Sequence, residues 1–299
     1  MNKKINCAVK NKRKNLSELG FSDNFIFTKV MEDKSICLEI VSTLLEIEIS
    51  DLEYLETEKT LDVAFNSKAT RFDCLVKSEN KIINIEMQVN EKNDLVFRAR
   101  YYHIIIGMDN LGVGEDYISL SDTYVIFICK FDPFNKGDVK YEFESYCKKH
   151  DIYENNKEHT LYFNTSAKDI LKEGKLKELL KLVEGIPSED EFSLKLQRKI
   201  DEIKNNVKWQ RDYMKFSADL MDERREGKAE GIIEGKAQGI IEGEAKGKAK
   251  GIIEGKAEGV LENRLENAKG LLDILSDEVI AEKIGLDIEV VKELRQKNI

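Results

Sequence analysis

Asp73, Glu86 and Gln88, within the stretch RFDCLVKSENKIINIEMQV, have the residue types and spacing from which a hydrolytic metal site can be built. Two runs rich in Val, Ile and Phe flank Ser78, Glu79, Asn80 and Lys81, which predicts a β-hairpin. With the turn centred between Glu79 and Asn80, residues equidistant from it face one another. One face then pairs Phe72 with Met87, Cys74 with Ile85 and Val76 with Ile83, and is apolar throughout. The other pairs Asp73 with Glu86, Arg71 with Gln88 and Leu75 with Asn84. Two facing carboxylates, with Cβ atoms about 5 Å apart, repel each other. Either one carboxyl keeps its proton, or a hard cation such as Mg²⁺ binds between them and to water. Such a cation lowers the pKa of a water, polarises a phosphodiester and neutralises charge on a leaving oxygen. Glu86 and Gln88 lie two apart on one strand and point at the same place. The spacing alone also suits an ordinary solvent-facing hairpin edge.

The next segment reads as a helix from Leu95 to Asp109 and carries Arg98, Arg100, Tyr101, Tyr102 and His103, donors and rings suited to phosphate and nucleotide contact. Leu95, Ala99, Tyr102 and Ile106 follow helical spacing and read as core, which leaves Arg98 and Tyr101 as the DNA-binding candidates. Asp23, at the start of the first helix, is either an outer carboxylate of the metal site or a helix-start residue. Three histidines and no nucleophile elbow leave a Ser/His/Asp hydrolase little to build on. The glycines of GVGED do not follow a strand and open a helix, so no nucleotide cofactor is expected. Five widely spaced cysteines without a CxxC pair indicate buried thiols, not disulfides or zinc. A net charge of −9 argues against coating nucleic acid by bulk charge, but a nuclease needs only a local basic patch. No run of about eighteen apolar residues and no signal-peptide pattern occur, which predicts a cytoplasmic protein without a membrane span.

The elements around these residues predict an α/β core, a mixed sheet flanked by helices. Helices are expected from Phe21, with Ser22 as a cap, and over Ser35–Glu46; strands over Leu61–Phe65, Arg71–Lys77, Lys81–Val89, Thr123–Phe131, Val139–Tyr146 and Thr160–Asn164; and helices over Asp169–Val183 and Glu189–Arg225. From Gly227 to Gly259 a glycine recurs at every fourth position, nine in all. Each costs a helix about 1 kcal/mol relative to alanine, so the segment is a linker, a solvated helix, or an oligomerisation stalk whose glycines admit a second helix. Short helices follow over Asn267–Leu275, Asp277–Ile284 and Ile288–Leu294; the last carries Asp287, Glu289 and Glu293 about it, which suits a helical cap better than a DNA-reading helix. The expected division is a basic tail (1–20), an α/β core (21–165), a helical extension (166–226), the glycine-tetrad segment (227–262) and a small helical end (263–299).

The ordered set FSDNFIFTKVMED, RFDCLVKSENKIINIEMQ, RARYYHIIIGMDNL and YVIFICKFDPF, followed by WQRDYM and the glycine tetrads, resembles the Rpn family of recombination-promoting nucleases, also labelled transposases, over nearly the whole chain. The resemblance implies a restriction-endonuclease-like core of the PD-(D/E)xK type and a metal-dependent DNA endonuclease. It makes Asp73 the motif aspartate, Glu86 the motif acid and Gln88 the occupant of the motif lysine's place. Asp73 and Glu86 would hold Mg²⁺ or another divalent cation, with DNA as partner and a homo-oligomer expected. Lysine would supply a positive charge, whereas glutamine offers a neutral amide. The rival reading is a non-catalytic DNA-binding protein or oligomeric scaffold derived from the same fold.

Overall fold

A computed structural model of the chain describes residues 14–61 and 70–297. Most of the basic tail, Cys7 and all but the first residue of the strand expected over Leu61–Phe65 lie outside the described residues. The chain divides into two units, one up to Phe216 and one from Ser217.

The first unit is built on a six-stranded mixed sheet. Its strands are β1 (Tyr54–Thr57), β4 (Cys74–Ser78), β5 (Lys81–Gln88), β6 (Asp122–Cys129), β10 (Glu158–Asn164) and β7 (Lys140–Phe143), in that spatial order. β5, β6 and β10 run parallel and form its centre; β1, β4 and β7 are antiparallel to their neighbours. Two small ribbons accompany it, β2 (Thr60–Leu61) with β3 (Thr70–Arg71), and β8 (Tyr146–Cys147) with β9 (Ile152–Tyr153). Central parallel strands are covered on both faces and so read as nearly continuous apolar runs, as DTYVIFIC of β6 does.

One face is covered by α1 (Asn24–Met31), α2 (Lys34–Leu45), α4 (Lys175–Glu184) and α5 (Glu191–Asn205), which pack on Cys74, Val76, Ile83, Ile85, Ile126, Ile128, Leu161 and Phe163. The other is covered by α3 (Leu95–Asn110), whose Leu95, Ala99, Tyr102, Ile105 and Ile106 meet Phe72, Leu75, Ile82, Val125, Phe127 and Tyr162. Within α3, His103 is buried and bonds through Nδ1 to Thr123 Oγ1 (2.8 Å) and through Nε2 to Thr160 Oγ1 (3.0 Å), tying the helix to β6 and β10. Burial lowers its pKa to about 4, so the ring is neutral near pH 7.

Several expectations change. The strand expected over Arg71–Lys77 is broken: Arg71 pairs with Thr60, Phe72 N–H donates to Lys59 O, and the ladder with β5 begins only at Cys74. Phe72 therefore packs under α3 rather than beside Cys74 and Val76, and Arg71 does not face Gln88. The polar face of the hairpin is no open edge, because α3 buries it. α1 is preceded by Asp23 at its N-cap, not Ser22. α4 begins at Lys175 after a 3₁₀ segment at Thr165–Ile170, and the helix expected over Glu189–Arg225 breaks at Asn206. β1 was not anticipated. Of the described cysteines Cys37, Cys74 and Cys129 are buried thiols, but Cys147 is exposed.

Beyond Asn206 the chain forms α6 (Val207–Leu271), in which all nine tetrad glycines are helical. Their neighbours Ala, Glu, Lys and Ile carry the propensity, with weak pairs such as Lys246–Glu242 (3.7 Å) and Lys250–Glu254 (3.6 Å) along the surface. A Cβ placed on any of the nine would meet nothing within 4 Å. The segment expected as a separate helix over Asn267–Leu275 is mostly the end of α6. In the second unit Ala268 and Leu272 pack with Ile280 of α7 (Asp277–Ile284) and Val291 of α8 (Ile288–Lys297) to form a small core. Among the described residues no helix is long and apolar enough to cross a membrane.

Candidate active site

The hairpin register brings the acidic pair together. β4 and β5 pair Cys74 with Ile85, Leu75 with Asn84 and Ser78 with Lys81, a two-residue connection through Glu79 and Asn80. Along β5, Ile83, Ile85 and Met87 point to the four-helix face, and Ile82, Asn84, Glu86 and Gln88 to α3. Asp73 stands just before the ladder, where the backbone turns away to the β2–β3 ribbon. Its N–H donates to Glu86 Oε1 (3.2 Å), and its Oδ2 accepts from Met87 N–H (3.0 Å). Because β4 begins only at Cys74, the Met87 amide serves the Asp73 carboxylate rather than a strand partner.

Glu86 is 3% exposed, and its remaining oxygen is fully engaged. Oε2 accepts from Arg98 Nη2 (2.9 Å) and from Tyr102 Oη (3.2 Å). Arg98 Nη2 also donates to Tyr102 Oη (2.7 Å), and Arg98 Nη1 donates to Gln88 Oε1 (2.9 Å). Gln88 Nε2 donates to Asn90 O (2.8 Å), so both ends of the amide are assigned by their partners. Asn24 of α1 donates from Nδ2 to Asp73 Oδ1 (3.3 Å) and is itself held by Thr28 (3.1 Å).

Electrostatically the two acids are under strain. Burial, followed by the charge of Asp73, raises the pKa of Glu86, with Arg98 opposing; burial raises that of Asp73 as well. The carboxylate oxygens of this pair are donors of the kind a hard divalent cation takes, and such an ion would relieve their repulsion without needing a proton. The site lies at the carboxyl ends of parallel β5 and β6, where open α/β sheets commonly bind ligands.

The structure thus gathers Asp73, Glu86, Gln88 and Arg98. It leaves Tyr101 half-buried against the core beneath α3. Asp23 does not join them: its carboxylate accepts from Gly20 N–H (2.8 Å) and pairs with Lys14 (3.2 Å), and its neighbour Asn24 reaches Asp73 instead. Tyr102, read from spacing as core, is buried and also holds Glu86; its phenol offered the signal, since a buried tyrosine hydroxyl needs a partner. A separate group with donor atoms within 4.8 Å of one another, Glu142, Glu144 and His159, sits at the β7–β10 edge; both glutamates are exposed, and His159 stacks on Tyr124 (4.5 Å).

No curated protein and no solved structure matches the chain. Residues 19–179, more than half of its length, match the family described as PD-(D/E)XK nuclease family transposase, whose extent takes in every strand of the sheet and every member of this site. Nucleases of that kind generally use divalent metals and take DNA as substrate, and the mixed sheet flanked by helices is consistent with their restriction-endonuclease-like fold. By fold, by motif order and by this match, the chain belongs to the PD-(D/E)XK nuclease family transposases.

Proposed function

We propose that the first unit is a divalent-metal-dependent DNA endonuclease that hydrolyses phosphodiester bonds. The observation that carries the reading is the buried pair Asp73 and Glu86, two carboxyl groups whose raised pKa values express a charge demand a cation would satisfy. When bound, Mg²⁺ or a similar ion supplies an acidified water and a Lewis acid for the phosphate. Asp73 and Glu86 would hold it, Asp73 being aimed by Met87 N–H and Asn24, and Glu86 by Asp73 N–H and Tyr102. Gln88 would orient the attacking water or a phosphate oxygen. Arg98 would contact the DNA phosphate. In the overall reaction water's oxygen forms a bond to phosphorus, water loses a proton, and one ester P–O bond breaks with its departing oxygen protonated.

Supercoiled plasmid, incubated with and without Mg²⁺, tests the reading. Wild type is expected to nick it only with the ion, and Asp73→Ala and Glu86→Ala, purified identically, are expected to lose at least about 100-fold in rate. No nicking by wild type, or nicking that survives equally in both variants, would move the assignment to a DNA-binding scaffold.

A further inference from the structure

The motif strand places a neutral amide at Gln88, where a lysine would bring a positive charge, yet the site is not short of a cation. Arg98 reaches in from α3, three residues past its first residue, and its guanidinium bonds to Glu86 and Gln88 at 2.9 Å each. The group is fixed by its neighbours. Its Cζ carbon lies 5.5 Å from the centroids of both Tyr102 and Phe127, and Nη2 is fixed by the Tyr102 hydroxyl. A quarter of the side chain remains exposed, at the end of the sheet where a phosphate would arrive.

We propose that Arg98 is the catalytic cation of this site, taking from a helix the place that the motif lysine takes from the strand, with Gln88 as its positioning residue; the assignment rests on the nuclease reading above. Gln88 and Arg98 explain each other. An ammonium at position 88 would sit against the guanidinium, and like charges in contact are unfavourable. A carbonyl oxygen there accepts the Nη1 hydrogen, and Asn90 O takes one of the two amide hydrogens, so the acceptor end faces Arg98. Arg98 already touches Glu86 Oε2, so a phosphate bridging to the acidic pair comes within reach of the same guanidinium. There its planar fork suits two phosphate oxygens and stabilises charge as the ester bond breaks. A residue that only gripped distant DNA backbone would have no need of either partner.

The experiment compares wild type, Arg98→Ala, Arg98→Lys and the double variant Arg98→Ala/Gln88→Lys in Mg²⁺-dependent cleavage of one defined duplex. Duplex affinity is measured in chelator, and Mn²⁺ affinity is measured without DNA by calorimetry, with Asp73→Ala as the blank for Glu142, Glu144 and His159. Arg98→Ala is expected to lose about 100-fold in kcat. Arg98→Lys should retain more than Arg98→Ala, and the double variant should regain about tenfold over Arg98→Ala because lysine then stands in the strand position. Mn²⁺ should bind Arg98→Ala at least as tightly as wild type, since Glu86 Oε2 has lost a competitor. Wild-type kcat in Arg98→Ala, loss of duplex affinity that accounts for the whole defect, absence of rescue by Gln88→Lys, or loss of Mn²⁺ binding would each overturn the assignment while leaving the nuclease reading intact. A wild type that does not cleave, or an Asp73→Ala variant that cleaves as well, overturns that reading and the assignment with it.

Discussion

The two faces of β5 are equally dry and chemically opposite. Toward the four helices, Ile83 and Ile85 are wholly buried among Val30, Ile40, Ile126 and other aliphatic groups. Toward α3, Asn84, Glu86 and Gln88 are buried as deeply, at 0, 3 and 7% exposure. The first face contributes stability by removing apolar surface from water; the second spends some of it to keep oxygen ligands out of solvent. α3 makes this tolerable by carrying a guanidinium and a phenol to the acids. Burial by itself therefore does not separate core from site in this sheet; the charges across the gap do.

The contrast can be broken most severely on the apolar face. Ile83→Ala should cost about 2–5 kcal/mol in chemical denaturation, because the four-helix side closes over it completely; a loss below about 1 kcal/mol would mean that this face is loosely packed. On the polar face the effect depends on pH. In EDTA-treated protein Glu86 holds its proton more tightly when folded, with a pKa of about 8 against the ordinary 4.5. Its contribution to stability is complete below the ordinary value and is lost as pH rises through the raised one. Wild type should lose stability as pH rises across that window, and Glu86→Gln should flatten the slope. An unchanged slope would place the titration elsewhere. The smallest effect is expected at Asn84. Its amide lies close enough to Glu86 to favour the ionised form, yet neither Nδ2 nor Oδ1 makes a well-formed hydrogen bond. Asn84→Leu should therefore be neutral or stabilise by about 1 kcal/mol, while raising the pH at which Glu86 ionises; a large destabilisation would show that the amide is satisfied after all.

Part of this contrast was legible in the sequence. The Cys74–Ile85 and Val76–Ile83 pairs and the proximity of Asp73 to Glu86 follow from a short local hairpin, whose register the alternation on one face specifies. The break at Asp73 was not legible, because it arises when the backbone changes partners to Lys59 and Glu58, more than ten residues upstream. β1 has no clear sequence signature for a related reason: YLET is only four residues long, and its place is decided by pairing with β4. Arg98 was visible as a donor on a helix, but its docking onto Glu86 depends on how α3 lies across the sheet, a tertiary fact without a periodic signature. Asn24 was hidden behind the more conspicuous Asp23 beside it.

The attachment of α3 through His103 gives the site a fixed origin of measurement. Because that ring is clamped between Thr123 and Thr160, the guanidinium five residues earlier is referenced to the two central strands and not to the connection before the helix. The residues of that connection, 90–94, are exposed, so a change of length there is expected to leave the reference in place. One residue added between Arg98 and His103 would instead swing the guanidinium by about 100° around the helix axis, away from both acids. Evolution can thus vary how the chain enters this helix freely, but the five-residue interval inside it is a calibrated length.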